Sequence, residues 1–169
     1  REEIGMQMNA MGFYEFGKPD VFREIEIEKP QPGDDQVLIK VEGTSVNFAD
    51  IQTRKGSFHG GGTVFPVVPG LDAAGTVEAV GKNIKSLKEG DRVIAFPHTG
   101  TYCEYVVADG DLTYAIPETV SIIQAAASPL VSFTSHMILN KVACLEKGET
   151  IVIHAAAGGI GTTAIQIAK

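Results

Sequence analysis

The uncharged run Thr150-Ile151-Val152-Ile153-His154, followed at once by Ala155-Ala156-Ala157-Gly158-Gly159-Ile160-Gly161, constrains this chain more than any other feature. Short, β-branched and free of charge, the run predicts a strand covered on both faces. The glycines predict a tight turn, and Thr162 to Lys169 the helix it opens. Matched to G-x-G-x-x-G, Ala156 takes the first place, with Gly158 and Gly161 in the others. A strand-turn-helix of this kind turns the amides of Gly158, Gly159, Ile160 and Gly161, and the positive end of the helix dipole, toward an anion. It suits a dinucleotide pyrophosphate: Gly158 lets phosphate approach the backbone, and Gly161 lets helix and strand pack closely. The plain alternative is a tight turn with no ligand. The residue that reads the ribose stands about 20 positions further on in such folds, past Lys169. The second strand of a βαβ unit is also missing, so the sequence reads as the N-terminal part of a longer chain, with roughly 100 or more residues of doubly wound domain to follow.

Before this unit the texture differs. From Met8 to about Ala115, short strands alternate with turns, at Met8–Tyr14, around Val37–Val41, and at Thr76–Val80, Arg92–Phe96 and Tyr102–Val107. Turn signals at Pro30 to Asp35, Pro69-Gly70, Gly81, Gly90-Asp91 and Asp109-Gly110-Asp111 separate them. Many short strands at this spacing predict a β-barrel-like domain. Asn47 and Asp50, three apart, mark a helix start, with Gly56 as its stop. Ser121 and Gln124 form a capping box for a second short helix, which Pro129 ends or kinks. A further helix is expected from about Ser132 to Val142.

Composition excludes several classes. A net charge of -7 without a Lys/Arg cluster argues against nucleic acid or an anionic membrane as partner. Polar residues in the uncharged stretch 119–140, and glycines in 150–168, argue against membrane spans. Arg1 to Gln7 has no apolar segment of a signal peptide and reads as an extension or cloning remnant. Two cysteines without paired spacing, Cys103 and Cys144, fit a reducing, cytoplasmic setting.

Further stretches complete a pattern: Met8-Asn9-Ala10 with Glu15-Phe16-Gly17, Ser45-Val46-Asn47-Phe48-Ala49-Asp50 with Arg54 and Gly56, and Pro69-Gly70-Leu71-Asp72-Ala73-Ala74-Gly75. Gly90-Asp91-Arg92-Val93, Gly100-Thr101-Tyr102 with Glu104-Tyr105, and Ala155 to Gly161 follow in order. Together these resemble the zinc-free quinone oxidoreductases of the medium-chain dehydrogenase/reductase superfamily over nearly the whole chain. The resemblance implies an α+β, then α/β, architecture. A GroES-like β-barrel catalytic domain would span 8–124, and 125–169 would be the opening strand, turn and helix of a truncated Rossmann domain, NADPH lying in the cleft between them. It places Asn47 and Asp50 at the nicotinamide end, as candidate catalytic residues. Asn47 could bond a carbonyl or a ribose hydroxyl while also capping its helix, and Asp50 could serve the site or only the helix N-terminus. Thr134 matches a cofactor-contacting hydroxyl, or else bonds back to its own helix. Gln52, where many relatives carry an aromatic residue, and Arg54 fall in the substrate pocket. Arg54 either meets a phosphate or acidic neighbour, or lies on a solvated face.

Zinc-dependent alcohol dehydrogenase relatives place a Cys where Asn47 stands and a His-Glu pair where Leu71-Asp72 stands. Leucine cannot ligate a metal, and an amide is a poor zinc ligand. Phe96 to Gly100 leaves no room for the cysteine-rich loop of the structural zinc, and His59, His98, His136 and His154 show no ligand spacing. The expectation is therefore a metal-free enzyme using NADPH, with NADH not excluded. It would pass hydride to a quinone or related electrophilic carbonyl or alkene, most simply as a homodimer. Two alternatives stand beside it: an enoyl or enone reductase, and a nucleotide-binding protein without turnover. Residues 1–169 alone are expected to be inactive.

Overall fold

The computed structural model describes residues 5–57 and 63–169, and the chain divides into two compact units, up to Ala127 and from Ser128 onward. In the first unit, strands β1 (Gln7–Gly12) and β2 (Arg23–Glu28) form an antiparallel hairpin. A second sheet, also antiparallel, has the order β6-β3-β4-β5-β7, from β3 (Gln36–Gly43), β4 (Ala73–Val80), β5 (Arg92–Ala95), β6 (Tyr105–Asp109) and β7 (Thr113–Ala115). Bridges from Ala10 to Cys103 and from Phe13 to Val67 join the hairpin to the loops of the larger sheet. Gln7 belongs to β1, and the Met6 carbonyl accepts the Lys29 N–H.

Strand alternation puts Val37 and Ile39, Val77, Val93 and Ala95, Val106 and Ala108 on one face, where with Leu87 they form the core. Ile39 lies opposite both Val77 and Val106, in the middle of the sheet. Gly75 sits where β3 and β4 lose register, and a Cβ there would run into the Lys40 carbonyl. Helix α2 (Ile122–Ala127) is the expected short helix, started by Ser121 and Gln124, each of which bonds the other's backbone N–H. It lays Ala125 and Ala126 against Ala74, and Ala126 Cβ fills the space above Gly43.

The second unit holds α3 (Pro129–His136) and α4 (Gly159–Ala168). Pro129 takes the first turn of α3, where its missing N–H costs nothing, so this helix starts before the expected Ser132. It continues as a π-helical segment, Met137–Val142. Buried Ser135 links the two helices, its Oγ lying 2.7 Å from Val131 O and 3.1 Å from Ile160 O.

One expectation is corrected. Residues 150–154 form no strand, and the run is not covered: Val152 is 77% exposed. A strand is defined by its ladder, and none of the described strands pairs with this run, so β-branched propensity alone leaves it irregular.

Candidate functional site

The chain turns from β3 into helix α1 (Phe48–Arg54) at Asn47, whose extended backbone (φ -104°, ψ 158°) ends the strand direction and starts the helix. Asn47 and Asp50 form the expected capping box, with the Asn47 N–H donating to Asp50 Oδ2 at 2.7 Å. Gly56, in the left-handed region at φ 75°, follows the last helical turn as expected. Asp50 also works beyond its helix. Buried at 4% exposure, it accepts the Gly70 N–H on Oδ1 at 3.0 Å and the Tyr102 hydroxyl on Oδ2 at 3.3 Å. Burial pushes its carboxyl above the ordinary range, against the lowering pull of those hydrogen bonds, and the Asp72 charge adds to the rise. Burial, with the Asp50 carboxylate beside it, likewise pushes the Tyr102 phenol well up.

A second buried carboxylate lies behind Asn47. Asp72, 1% exposed, accepts the Ser45 hydroxyl at 2.7 and 2.8 Å to its two oxygens, and the Ser45 N–H at 3.3 Å. The Asn47 side-chain NH2 donates to Ser45 Oγ at 2.9 Å and to Asp72 Oδ1 at 3.4 Å. Thr44 Oγ1 donates to the Asp72 carbonyl, and lies 2.7 Å from Thr101 Oγ1. Gly70, at φ 106°, makes this closeness possible, since a Cβ there would strike Thr101 Oγ1.

Arg54 does not lie on a solvated face. It is 8% exposed, and its guanidinium donates to Gly17 O at 2.7 Å while Gly17 N–H donates to Arg54 O at 3.0 Å. With Phe16, Lys18, Pro19 and Lys55 it lines a shallow concavity. Gln52 is half-buried on the same helix, and its carbonyl accepts the Ser57 N–H. His59 lies outside the described residues.

In the second unit, Ala155 takes a left-handed φ of 51° and reverses the chain, and its carbonyl accepts the Gly158 N–H at 3.0 Å. Gly158 caps α4 in extended conformation, so Gly159, Ile160 and Gly161 form the first turn, where backbone N–H groups have no partner within the helix. A Cβ on Gly161 would lie 2.5 Å from Ala156 Cα and 2.7 Å from Ala155 O, so Ala156 and Gly161 are in close backbone contact. Gly158 is looser, with only Ala155 O at 3.4 Å. The Thr162 and Thr163 hydroxyls are turned back on the Gly158 and Gly159 carbonyls. Thr134 is half-buried on α3.

Sequence reasoning assigned no site role to Ser45, Asp72 or Tyr102, although all three stand inside the stretches quoted above. A short hydroxyl followed two residues later by an amide (Ser45, Asn47) is a weak local signal, and nothing local points to Asp72 or Tyr102. Among the described residues, no group of three His, Cys, Asp or Glu side chains could hold a metal ion, and no helix is long and apolar enough to cross a membrane.

Residues 33–141 match the family model of the alcohol dehydrogenase GroES-like domain. Quinone oxidoreductase of Sus scrofa is 42% identical over 164 residues, covering 96% of this chain and 50% of the relative; that of Homo sapiens is 39% identical at the same coverage. Among solved structures, human synaptic vesicle membrane protein VAT-1 homolog-like protein matches with a TM-score of 0.91 at 33% identity, over 96% of this chain and 52% of the other. Quinone oxidoreductase of Escherichia coli complexed with NADPH matches at a TM-score of 0.87 and 31% identity, over 95% of this chain and 49% of the other. The chain thus spans about half the length of the curated relatives it matches. It belongs, by these matches, to the quinone oxidoreductase family of the medium-chain dehydrogenase/reductase superfamily, with an alcohol dehydrogenase GroES-like domain.

Proposed function

We propose that this chain carries the catalytic barrel and the phosphate-binding turn of a zinc-independent, NADPH-dependent quinone reductase. The observation that carries the reading is the turn from Ala155 to Gly161, where Gly161 leaves no room for a Cβ and the amides of Gly159, Ile160 and Gly161 start a ten-residue helix. These features fit a dinucleotide pyrophosphate, which needs donors, a positive dipole end and no intruding side chain. When bound, NADPH supplies a hydride from its nicotinamide.

The rest is done by the chain's own residues. The three amides and the Ala156 backbone hold the diphosphate, and Thr134 offers a hydroxyl to the cofactor. Asn47, held at the start of α1 by Asp50, orients the nicotinamide end. Gln52 shapes the acceptor pocket, while Arg54 steadies its wall through Gly17. A quinone accepts one hydride, and a proton from solvent completes the hydroquinone, so no buried acid is required. The donor set supports a reaction without zinc: Leu71 has no lone pair to give, Asn47 offers an amide, and the Asp72 carboxylate is engaged by Ser45 and Asn47.

The test is NADPH consumption by the full-length protein with quinones and with enoyl thioesters, with and without a chelator. Chelator-insensitive turnover that rises with quinone concentration is the expected result. A preference for the thioester would reassign the acceptor, and cofactor binding without stimulation by any electrophile would overturn the enzymatic reading.

A further inference from the structure

We infer that Asp72, through Ser45, fixes the orientation of the Asn47 amide, with its NH2 turned toward the carboxylate and its oxygen turned away. The inference rests on the proposed function for the ligand that oxygen meets, but its geometry belongs to this chain. It follows from counting protons. The Ser45 hydroxyl has a single hydrogen, and it lies 2.7 and 2.8 Å from the two Asp72 oxygens, which as a carboxylate can only accept. With that hydrogen committed, Ser45 Oγ can only accept from Asn47, across 2.9 Å. Asp72 Oδ1, 3.4 Å from the same Asn47 nitrogen, is also an acceptor. Two acceptors therefore face one end of the amide, and that end must be NH2; a flipped amide would set three acceptors together beside a buried carboxylate. Ser45 Oγ and Asp72 Oδ1 stand only 2.7 Å apart, so one Asn47 N–H points between them.

On the side away from the carboxylate lies the amide oxygen, which has two lone pairs. The capping box sets the Asn47 side chain beside the Asp50 backbone N–H, which itself donates to the Asn47 carbonyl at 3.1 Å, so the amide oxygen keeps a lone pair for a further donor. That oxygen suits a hydroxyl or a carboxamide N–H, as found at the nicotinamide-ribose end of the cofactor. Asp72 and Ser45 are positioning residues: they set which way the Asn47 amide points without meeting the ligand themselves.

The experiment is titration of the full-length protein with NADPH, using Asn47→Asp, Asn47→Leu and the exchange Asn47→Asp/Asp72→Asn. Asn47→Asp alone sets two carboxylates on one Ser45 hydrogen, and Asn47→Leu removes the acceptor; each is expected to weaken NADPH binding about tenfold. The exchange reverses the relay: an amide at position 72 now donates inward, and a carboxylate at position 47 still presents an oxygen outward. It is expected to return affinity to within about threefold of the original protein. An exchange variant that melts normally yet binds no better than Asn47→Leu would overturn the inference. A second measurement covers failure to fold: in the unsubstituted protein the Asn47 side-chain NH2 protons should be shifted and slow to exchange by NMR. Fast exchange at an ordinary amide position would also overturn it. If the unsubstituted protein binds no NADPH, the functional reading fails, while the NMR result still decides the orientation of the amide.

Discussion

Tyr102 donates its phenol to Asp50 Oδ2 across 3.3 Å, and the other oxygen of the same carboxylate holds the Gly70 N–H at 3.0 Å. One buried side chain therefore joins a helix start, a glycine turn and the loop before β6.

Removing that carboxylate should be costly. Asp50→Ala leaves the Asn47 and Gly70 N–H groups and the Tyr102 hydroxyl without their shared acceptor, and about 3 kcal/mol of stability should be lost in urea denaturation. A loss below about 1 kcal/mol would mean that water replaces the carboxylate without penalty.

The same group sets a pH dependence. Burial holds the Asp50 carboxyl above its unfolded value, so the folded chain binds this proton more tightly than the unfolded one. Its contribution is full below the unfolded pKa of about 4 and declines as pH rises through the higher folded value. The stability advantage of the unsubstituted chain over Asp50→Asn should therefore shrink from about pH 4 upward across that window, as followed by denaturation at stepped pH. An advantage that grows with pH would contradict the assignment.

Gly158→Ala and Gly161→Ala should separate ligand approach from packing. Gly161→Ala forces a Cβ into the Ala155–Ala156 backbone and should lower stability by roughly 2 kcal/mol. Gly158→Ala has space and an ordinary φ of -78°, so the full-length protein should melt nearly unchanged while its NADPH affinity falls. Equal effects of the two on melting would remove the distinction.

The two thiols should differ in reactivity. Cys103 is held between Gly100 O at 2.8 Å and Tyr105 O at 3.0 Å, and burial pushes its pKa up to about 11. Cys144 is exposed. Iodoacetamide at mildly alkaline pH should alkylate Cys144 first, with Cys103 largely unmodified by mass spectrometry. Preferential labelling of Cys103 would show that its loop opens readily.

What could be read from the sequence was mostly local. The capping pairs Asn47/Asp50 and Ser121/Gln124, the stop at Gly56 and the helix after Gly158 each depend on residues within four positions, and all appear in the structure. Strand β2, Arg-Glu-Ile-Glu-Ile-Glu, was there to be read from its alternation but is dominated by charge, and β7 spans only three residues. The candidate site was legible only in part, because its partners come from distant segments: Tyr102 lies 52 positions from Asp50, and Asp72 lies 27 from Ser45. Arg54 shows the same limit, since its partner Gly17 is 37 positions away and a charged side chain near a helix end reads as solvated. The run 150–154 failed in the opposite direction: its composition favours a strand, but a ladder needs a neighbour.

Because Asp50 ties Asn47, Gly70 and Tyr102 to one carboxylate, none of these three segments can fluctuate open without releasing the others. Their amides should exchange with deuterium as a single cooperative group, at one common opening free energy, while the hairpin of β1 and β2 exchanges on its own schedule.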